Sequence, residues 1–583
     1  MSNLQTIIDA FRLLWDWSVS HGMALVTTSS YEALFLMGAL AVTWAFILYW
    51  FFFVFLRGLI VDRYLRDIPE VPGKVPVLGH ALLLMGGSPW KKMADWSLNS
   101  YSSTNDDKKK DTTPVNRLVR FSVFHQRVVY INDPVLLKRV LLTNQRNYMK
   151  DIAVSYKHFI CLLGKGLVTS EGEAWKKGRL LLSHAMRIDI LEEVPQLAMR
   201  AAGRIMDKLA ALDAKTSFLD LNEEFRHMTL RVIGETALSL EPEEIDRIFP
   251  ALYLPIVHEC NRRVWEPWRT LMPFLEGYQE RRRCLRELNA VLGDIIQKRW
   301  DDRHKPHKRD IMALCISQIK KMDAAMVLQL RDDVKTILLA GHETSAALLT
   351  WATYEVMCFP EVRDKIVEEA RRLFDPARCE NNIVTPQGKT WGVPTASDVR
   401  TMLRWSPAAL RETLRKHTVV PLVMRRAVKN DVWPATVTGL DKDVTIPAGC
   451  TVAVGIQAVH YRPDIWPDPQ AFKPERFLDM GFETGTGVQS NDVNQTPIDP
   501  YAFIPFINGP RNCLGQHLAI METAVVLAYL FLNWDLRFYS GDVGADDVEK
   551  RALQDEVGRP HEFMVPIVPH DGLRVVGTLR KKM

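Results

Sequence analysis

The decapeptide Phe506–Gly515, "FINGPRNCLG", places one thiol between two glycines, behind a proline and an arginine, where an apolar helical pattern opens at Leu514. A thiolate ligates metal and a thiol does not; a helix N-terminus, with its free backbone N–H groups, favours the thiolate. Cys513 is therefore a candidate lone metal ligand. Gly509 and Gly515 permit sharp turning and close approach of a flat group, and Arg511 can pair with an anion carried by that group. The other cysteines are scattered with no CxxC pair, which argues against a disulfide framework and against a zinc site.

Three further constellations stand apart from it in the chain. "AGHETS", Ala340–Ser345, lies in the middle of a long helical pattern from about Asp323 to Cys358 that stops at Phe359-Pro360. A carboxylate beside a hydroxyl, here Glu343 and Thr344, suits proton delivery, and a threonine hydroxyl can bond back to its own helix and bend it locally. "ETLR" sets Glu412 and Arg415 three apart, on one helical face and able to pair, while "PERF" at Pro474–Phe477 supplies Arg476. "AWKKGR" sets Trp175 and Arg179 four apart, again on one face.

The spacing F-x-x-G-x-R-x-C-x-G, met at Phe506, Gly509, Arg511, Cys513 and Gly515, resembles the haem-binding signature of the cytochrome P-450 superfamily. The other constellations follow in that family's order, and the resemblance covers roughly Ile68 to Lys582. It implies haem b (iron protoporphyrin IX) with Cys513 as the iron ligand. It implies that Trp175, Arg179 and Arg511 meet anionic groups of the haem. Arg425, four residues after Pro421, is a further candidate for that role, and its neighbour Arg426 competes. Ala340 and Gly341 would open room for dioxygen, Glu343 and Thr344 would be the acid–alcohol pair, and Glu412, Arg415 and Arg476 would form a structural network behind the cysteine loop.

The implied reaction inserts one oxygen atom of dioxygen into an organic substrate, by hydroxylation or epoxidation, with the second oxygen leaving as water. No G-x-G-x-x-G follows a strand and no cysteines cluster, so the electrons must come from another protein. An NADPH-dependent diflavin reductase is the implied donor, with cytochrome b5 as a second. Lys176, Lys177 and Lys473 would dock its acidic surface or form a solvated face. Segments that line the pocket in this family, Phe159–Leu163, Ile337–Ala340, Val419–Val423 and the tip His570–Gly572, are largely apolar, so an apolar small molecule is expected. The run "LLAGHETSAALLTW" looks most like the branch that includes fatty-acid ω-hydroxylases and carotenoid ring hydroxylases, pointing to a fatty acid, terpenoid or carotenoid-like lipid. Two rivals stand: a self-sufficient peroxide-rearranging haem-thiolate enzyme, against which Thr344 counts, and a non-enzymatic haem-binding membrane protein, which would not need Glu343 and Thr344.

The elements that must position these residues can be read in outline. With 583 residues, 47% hydrophobic and 25% charged, at a formal charge of +5, the chain is globular in composition. Its one compact basic run, Lys108–Lys110, lies in a polar loop, so no nucleic acid partner is expected. Ala33–Leu56 carries no charge and is long enough to cross a hydrocarbon core of roughly 30 Å. It reads as one transmembrane helix, and Arg57, Arg63, Arg66 and Lys74 downstream against Arg12 upstream place the main domain in the cytoplasm, on the endoplasmic reticulum membrane. The expected organisation is an N-terminal segment (1–32), the membrane helix (33–56), a basic, proline-rich hinge (57–80) and one catalytic domain (81–583). Leu118–Phe124 with Arg127–Ile131, and Phe563–Val568 with Leu573–Thr578, read as hairpins; Val419–Val423 and Val444–Val454 read as strands. The expected fold class is mainly α with small β-sheets (α+β), the cytochrome P-450 fold, preceded by one N-terminal transmembrane helix.

Overall fold

Residues 30–64 form a single helix before the chain reaches its first prolines. The computed structural model describes residues 16, 30–85, 88–98, 115–186, 192–212, 217–266, 269–270, 272–305, 310–385, 388–479, 499–539, 566–569 and 572–580. The first helix, α1, Ser30–Tyr64, continues past the expected end at Leu56, because no breaker stands before Asp67-Ile68-Pro69. Its large apolar side chains remain uncovered, Val42 at 71% and Phe46 at 67% exposed. The stretch Ile68–His80 is not helical, as its prolines require. It is docked on the rest of the chain through bridges at Glu70–Arg120 and Gly79–Val123 and through the buried side chains of Ile68 and Val71.

The strands of the two larger sheets are β1 Leu118–Val123, β2 Gln126–Ile131, β3 Tyr148–Lys150, β4 Leu219–Asp220, β5 Leu422–Ala427, β6 Thr451–Gly455, β7 Trp534–Phe538 and β8 Arg574–Leu579. A five-stranded sheet has the order β1-β2-β6-β5-β3, with β6 parallel to β2 and the other pairs antiparallel. A three-stranded antiparallel sheet has the order β7-β8-β4. The hairpin β1–β2 falls where the alternation placed it. Arg127 donates to both Asp62 oxygens, at 2.8 and 2.9 Å, and so fastens α1 to that hairpin.

Elsewhere the strand boundaries move. The strand expected at Val419–Val423 begins only at Leu422, since Thr418 turns at φ 27° and the carbonyls of Val419 and Pro421 accept from Ile567 and Gln457. The expected strand Val444–Val454 is two strands, split where Gly449, at φ 80°, donates to Ala427 O at 2.7 Å. The described part of the expected C-terminal hairpin does not pair with itself, because β8 pairs with β7 and β4. Phe563–Val565, His570–Asp571, the segments Ser102–Thr113 and Gly541–Pro560, and residues 1–15 and 17–29 lie outside the described residues.

The helices that bear on the site are α2 Ile160–Leu163, α3 Gly172–Ala185, α4 Val194–Ala211, α5 Leu221–Leu238, α6 Leu254–Trp265, α7 Glu276–Asp301, α8 Ala324–Cys358, α9 Trp405–His417 and α10 Gln516–Asn533. The Asp323 carboxylate caps α8 by accepting from Met326 N–H at 2.9 Å, and Pro360 ends it. At about 50 Å it spans the domain. Residues 345–356 are all buried, more than three successive turns, so this part of the helix is a core element with no wet face. α10 is apolar and long enough to cross a membrane by composition alone, but it is packed into the same core, with Val525, Leu527 and Phe531 at zero exposure. The largest cluster of buried apolar side chains gathers around α4, α5, α8 and α10; two smaller ones line the five-stranded sheet.

Candidate functional site

The loop before α10 doubles back so that Cys513 N–H donates to Phe506 O at 2.8 Å. Ile507 and Gly509 adopt φ 58° and 88°. A Cβ on Gly509 would lie 2.3 Å from the Leu141 carbonyl oxygen, so glycine is required there by the protein's own backbone and not by a flat group. Gly515 has an ordinary φ of −89° and serves differently, as the N-cap of α10 with its N–H beside the Cys513 thiol. Burial raises the Cys513 thiol above its ordinary range, and the Gly515 N–H and the Arg179 charge offset this only in part. The helix start alone therefore does not make the thiolate. Cys513 is nevertheless exposed while Asn508 and Leu518 on either side are buried, so its sulfur opens onto an internal cleft crowded by protein.

A cluster of cations lies beside this loop. The register of β5 sets Arg425 directly opposite Lys150 of β3, on one face of the sheet, and Arg426 opposite Met149 on the other. Arg425 is buried and, among the described residues, its guanidinium donates to the Met424 carbonyl, whereas Arg426 is half-exposed and paired with Asp151 at 3.0 Å. Strand register thus gives different surroundings to two neighbouring arginines that the sequence leaves equivalent. Arg511 lies 3.8 Å above the Trp175 ring, bonds Ser170 O at 3.1 Å and pairs with Glu171. Arg179 donates to the backbone and side-chain oxygens of Asn512 at 2.8 and 2.5 Å. Burial, then Arg425 and Arg511, push Lys150 down to about 7, and burial pushes Arg511 down to about 10. Lys150 went unnoticed in the sequence, where a single lysine in "NYMKD" carries no signal.

On α8, Thr344 Oγ1 donates to Ala340 O at 2.7 Å, the back-bond expected of it. Ala340 is exposed although it lies in the middle of a buried helix, which marks the wall of a cleft. Gly341 does not open that cleft: a Cβ there would meet Ile233 Cγ1 at 2.8 Å, so the glycine lets α5 pack tightly on α8. Nor does the Glu343 carboxylate stand free beside Thr344. Arg226 of α5 donates to it at 2.8 Å and the His342 ring lies 3.2 Å away; together they outweigh burial and hold it down at about 2. Arg226 is a residue of the site that no local pattern announces.

Glu412, Arg415 and Arg476 meet as expected. Arg415 donates twice to Glu412, both at 2.8 Å, and Arg476 Nε lies 3.5 Å from the same carboxylate. Arg415 also donates to the carbonyls of His460, Pro469 and Ala471. The His460 ring in turn accepts from Ile504 N–H at 3.1 Å, two residues before Phe506, so the network reaches the cysteine loop through one imidazole. Lys176 and Lys473 are exposed and tied to Glu173 and Asp468.

The donor set suits a flat dianionic macrocycle with a central metal. One soft sulfur faces the cleft, and four cations gather beside it, Lys150, Arg425 and Arg511 sharing Glu171 and Arg179 bonded to Asn512, an excess that two carboxylates of a ligand would nearly balance.

A sequence model of the family described as "Cytochrome P450" matches residues 75–560. Over 447 residues the chain is 29% identical to "Cytochrome P450 97B1, chloroplastic" of Pisum sativum, covering 70% of this chain and 77% of that one. Over 501 residues it is 27% identical to "Cytochrome P450 4c21" of Blattella germanica, covering 82% and 88%. Among solved structures it resembles the "Crystal structure of cytochrome P450DA heme domain", with a TM-score of 0.67 at 20% identity, over 88% of this chain and 98% of that one. At that identity the likeness is one of fold.

Proposed function

The chain belongs to the cytochrome P450 family of haem b monooxygenases, and from that premise we propose that it oxidises an apolar lipid-like substrate at the membrane surface, with Cys513 as the iron ligand. The observation that carries the assignment is the cysteine itself: Cys513, its backbone N–H fixed on Phe506 O at 2.8 Å, is exposed toward the internal cleft. When bound, thiolate-ligated haem uses dioxygen and two electrons to place one oxygen atom in the substrate and release the other as water.

The chain's own residues bind, orient and protonate. Trp175, Arg179, Arg425 and Arg511, joined by Lys150, would hold the two propionates, and Glu412, Arg415 and Arg476 fix the frame of the cysteine loop. Thr344 Oγ1, tethered at the cleft wall, delivers protons there. Glu343 feeds it only after leaving Arg226, which makes that ion pair a gate on proton supply. Phe159–Leu163 and Ile337–Ala340 exclude water from the substrate, which belongs to the fatty acid, terpenoid or carotenoid-like lipids.

α1 anchors residues 57–583 to the cytoplasmic face of the endoplasmic reticulum, where an NADPH-dependent diflavin reductase, assisted by cytochrome b5, supplies electrons. The uncovered apolar surface of α1 supports this reading. Protease protection of sealed microsomes tests it, and recovery in plastid membranes, as the Pisum sativum relative's name suggests for that protein, would move the assignment.

Reducing the purified protein under carbon monoxide tests the ligand. A strongly red-shifted Soret band in the parent, lost in Cys513→Ser, is expected; a histidine-type band in the parent would withdraw the assignment.

A further inference from the structure

We propose that Cys161 and Cys260 are a peroxide-reactive thiol pair that joins, as a disulfide, the segment carrying α2 to helix α6 and so slows passage of ligands into the cleft. The two sulfurs are 3.7 Å apart, although 99 positions separate them in sequence. A disulfide needs about 2.05 Å between sulfurs. Between β3 and α3 the chain holds only α2 and one other four-residue helix, Ile152–Ser155, among turns, so little regular structure resists the remaining approach.

The surroundings assign different parts to the two sulfurs. Cys161 is partly exposed, and Arg281 of α7 donates to its sulfur at 2.7 Å. Arg263 of α6 faces the same pair and leaves Nη2 without an acceptor; its partner Glu259 takes Nε at 3.0 Å. Lys335 of α8 is also within electrostatic reach, paired with Asp332. Cys260 has no exposure. The hydrogen bond from Cys260, and then Arg281, hold the Cys161 thiol below its ordinary range against burial, whereas Cys260 is pushed up. Elsewhere burial raises Cys315 and Cys450 to about 12, leaving them unreactive thiols.

The chemistry then has a fixed order. The Cys161 thiolate attacks a hydroperoxide oxygen; the S–O bond forms, the O–O bond breaks, and the leaving oxygen takes the proton that Cys161 gave up. The Cys260 thiol attacks the resulting sulfenic sulfur; the S–S bond forms and the hydroxyl leaves as water with the Cys260 proton. Two thiols lose two electrons, and one hydroperoxide becomes an alcohol, or water, plus water.

The consequence follows from what the bond would join. The α2 segment is already held to α8 on its far side, where Lys165 N–H donates to Asp332 at 2.9 Å and Leu167 N–H to Asp333 at 3.0 Å. A second, covalent tie to α6 would fix it against the α6–α7 pair as well. The disulfide itself is independent of the haem assignment, and only its effect on ligand passage rests on the proposed function.

The test treats the full-length holoprotein with stoichiometric hydrogen peroxide and digests it without reduction. A Cys161–Cys260 crosslinked peptide is expected. In Cys260→Ser, which retains the parent's carbon monoxide spectrum, dimedone should label Cys161 in its place, and Arg281→Gln should slow that labelling. Clotrimazole dissociation, followed in the Soret band, should slow about tenfold in the crosslinked parent and not in Cys161→Ser. No crosslink together with no dimedone adduct overturns the thiol pair. A crosslink with unchanged clotrimazole release overturns the restriction of passage while leaving the proposed haem site intact.

Discussion

Replacing Glu412 with alanine removes the acceptor at the centre of a fully buried charge network. Arg415 Nε and Nη2 each lose a 2.8 Å bond, Lys473 N–H loses one of 2.9 Å, and Arg476 Nε loses a neighbour at 3.5 Å, all where Glu412 and Arg415 have zero exposure. Stranding one member of a buried pair costs about 3–5 kcal/mol. Three carbonyls, those of His460, Pro469 and Ala471, still accept from Arg415, which sets the expected loss at the lower end, about 3 kcal/mol, or roughly two orders of magnitude in the folded-to-unfolded ratio. Because His460 also holds Ile504 N–H, the cysteine loop should loosen together with the fold. Urea titration of the detergent-solubilised holoprotein, followed by tryptophan fluorescence and by the carbon monoxide spectrum, reads both. The cycle with Arg415→Met isolates the pair: the double variant Glu412→Ala/Arg415→Met should fall short of the summed single losses by about 2 kcal/mol. A single-variant loss under about 1 kcal/mol, or simple additivity, would refute the assignment of this network as the frame of the loop.

Lys150→Met bears on the cation cluster. The Lys150 ammonium is at about 7 in the cofactor-free fold against an ordinary 10.5, so the unfolded chain holds a proton that the fold has released, and apoprotein stability rises with pH between those values. The variant should lose that slope in apoprotein urea midpoints while its holoprotein gives up haem to apomyoglobin faster; an unchanged slope sinks the placement. Gly341→Ala should destabilise by about 1–3 kcal/mol through overpacking on Ile233, and in thermal unfolding that cost should shrink in an Ile233→Ala background, whereas a purely catalytic glycine would show the same cost in both backgrounds. Thr344→Ala should keep its haem and divert NADPH electrons to hydrogen peroxide with added reductase; unchanged coupling of NADPH to product would remove Thr344 from proton delivery.

Local chemistry was enough for the outline of this molecule. The five-point spacing around Cys513 is confined to ten residues, and the helix pattern of Ala324–Cys358 is bounded by its own cap and proline, so both could be read without knowing what packs against them. The same holds for the hairpin β1–β2 and for the Glu412–Arg415 pair, three residues apart on one helix. Contacts across distant segments were invisible. Gly509 and Gly341 were assigned to a cofactor and to oxygen because glycine announces close approach without naming the neighbour, which proved to be Leu141 and Ile233. Thr344 alone among the α8 candidates made the bond anticipated for it, since its acceptor is one turn away on the same helix.

What had to wait for the folded chain was the pairing of charges between elements, apart from Arg476 with Glu412, which the resemblance supplied. Residue types and spacing specify which groups can ionise; they do not specify which partner lies within a few ångströms, and electrostatic energy depends on that distance and on burial. Register of β3 on β5 puts Lys150 beside Arg425 and sends Arg426 to Asp151; packing of α5 on α8 gives Glu343 to Arg226; and the meeting of α2 with α6 brings two unrelated cysteines to 3.7 Å. The ligand loop is a local property of the sequence, whereas the ionisation state of the groups around it belongs to the tertiary structure.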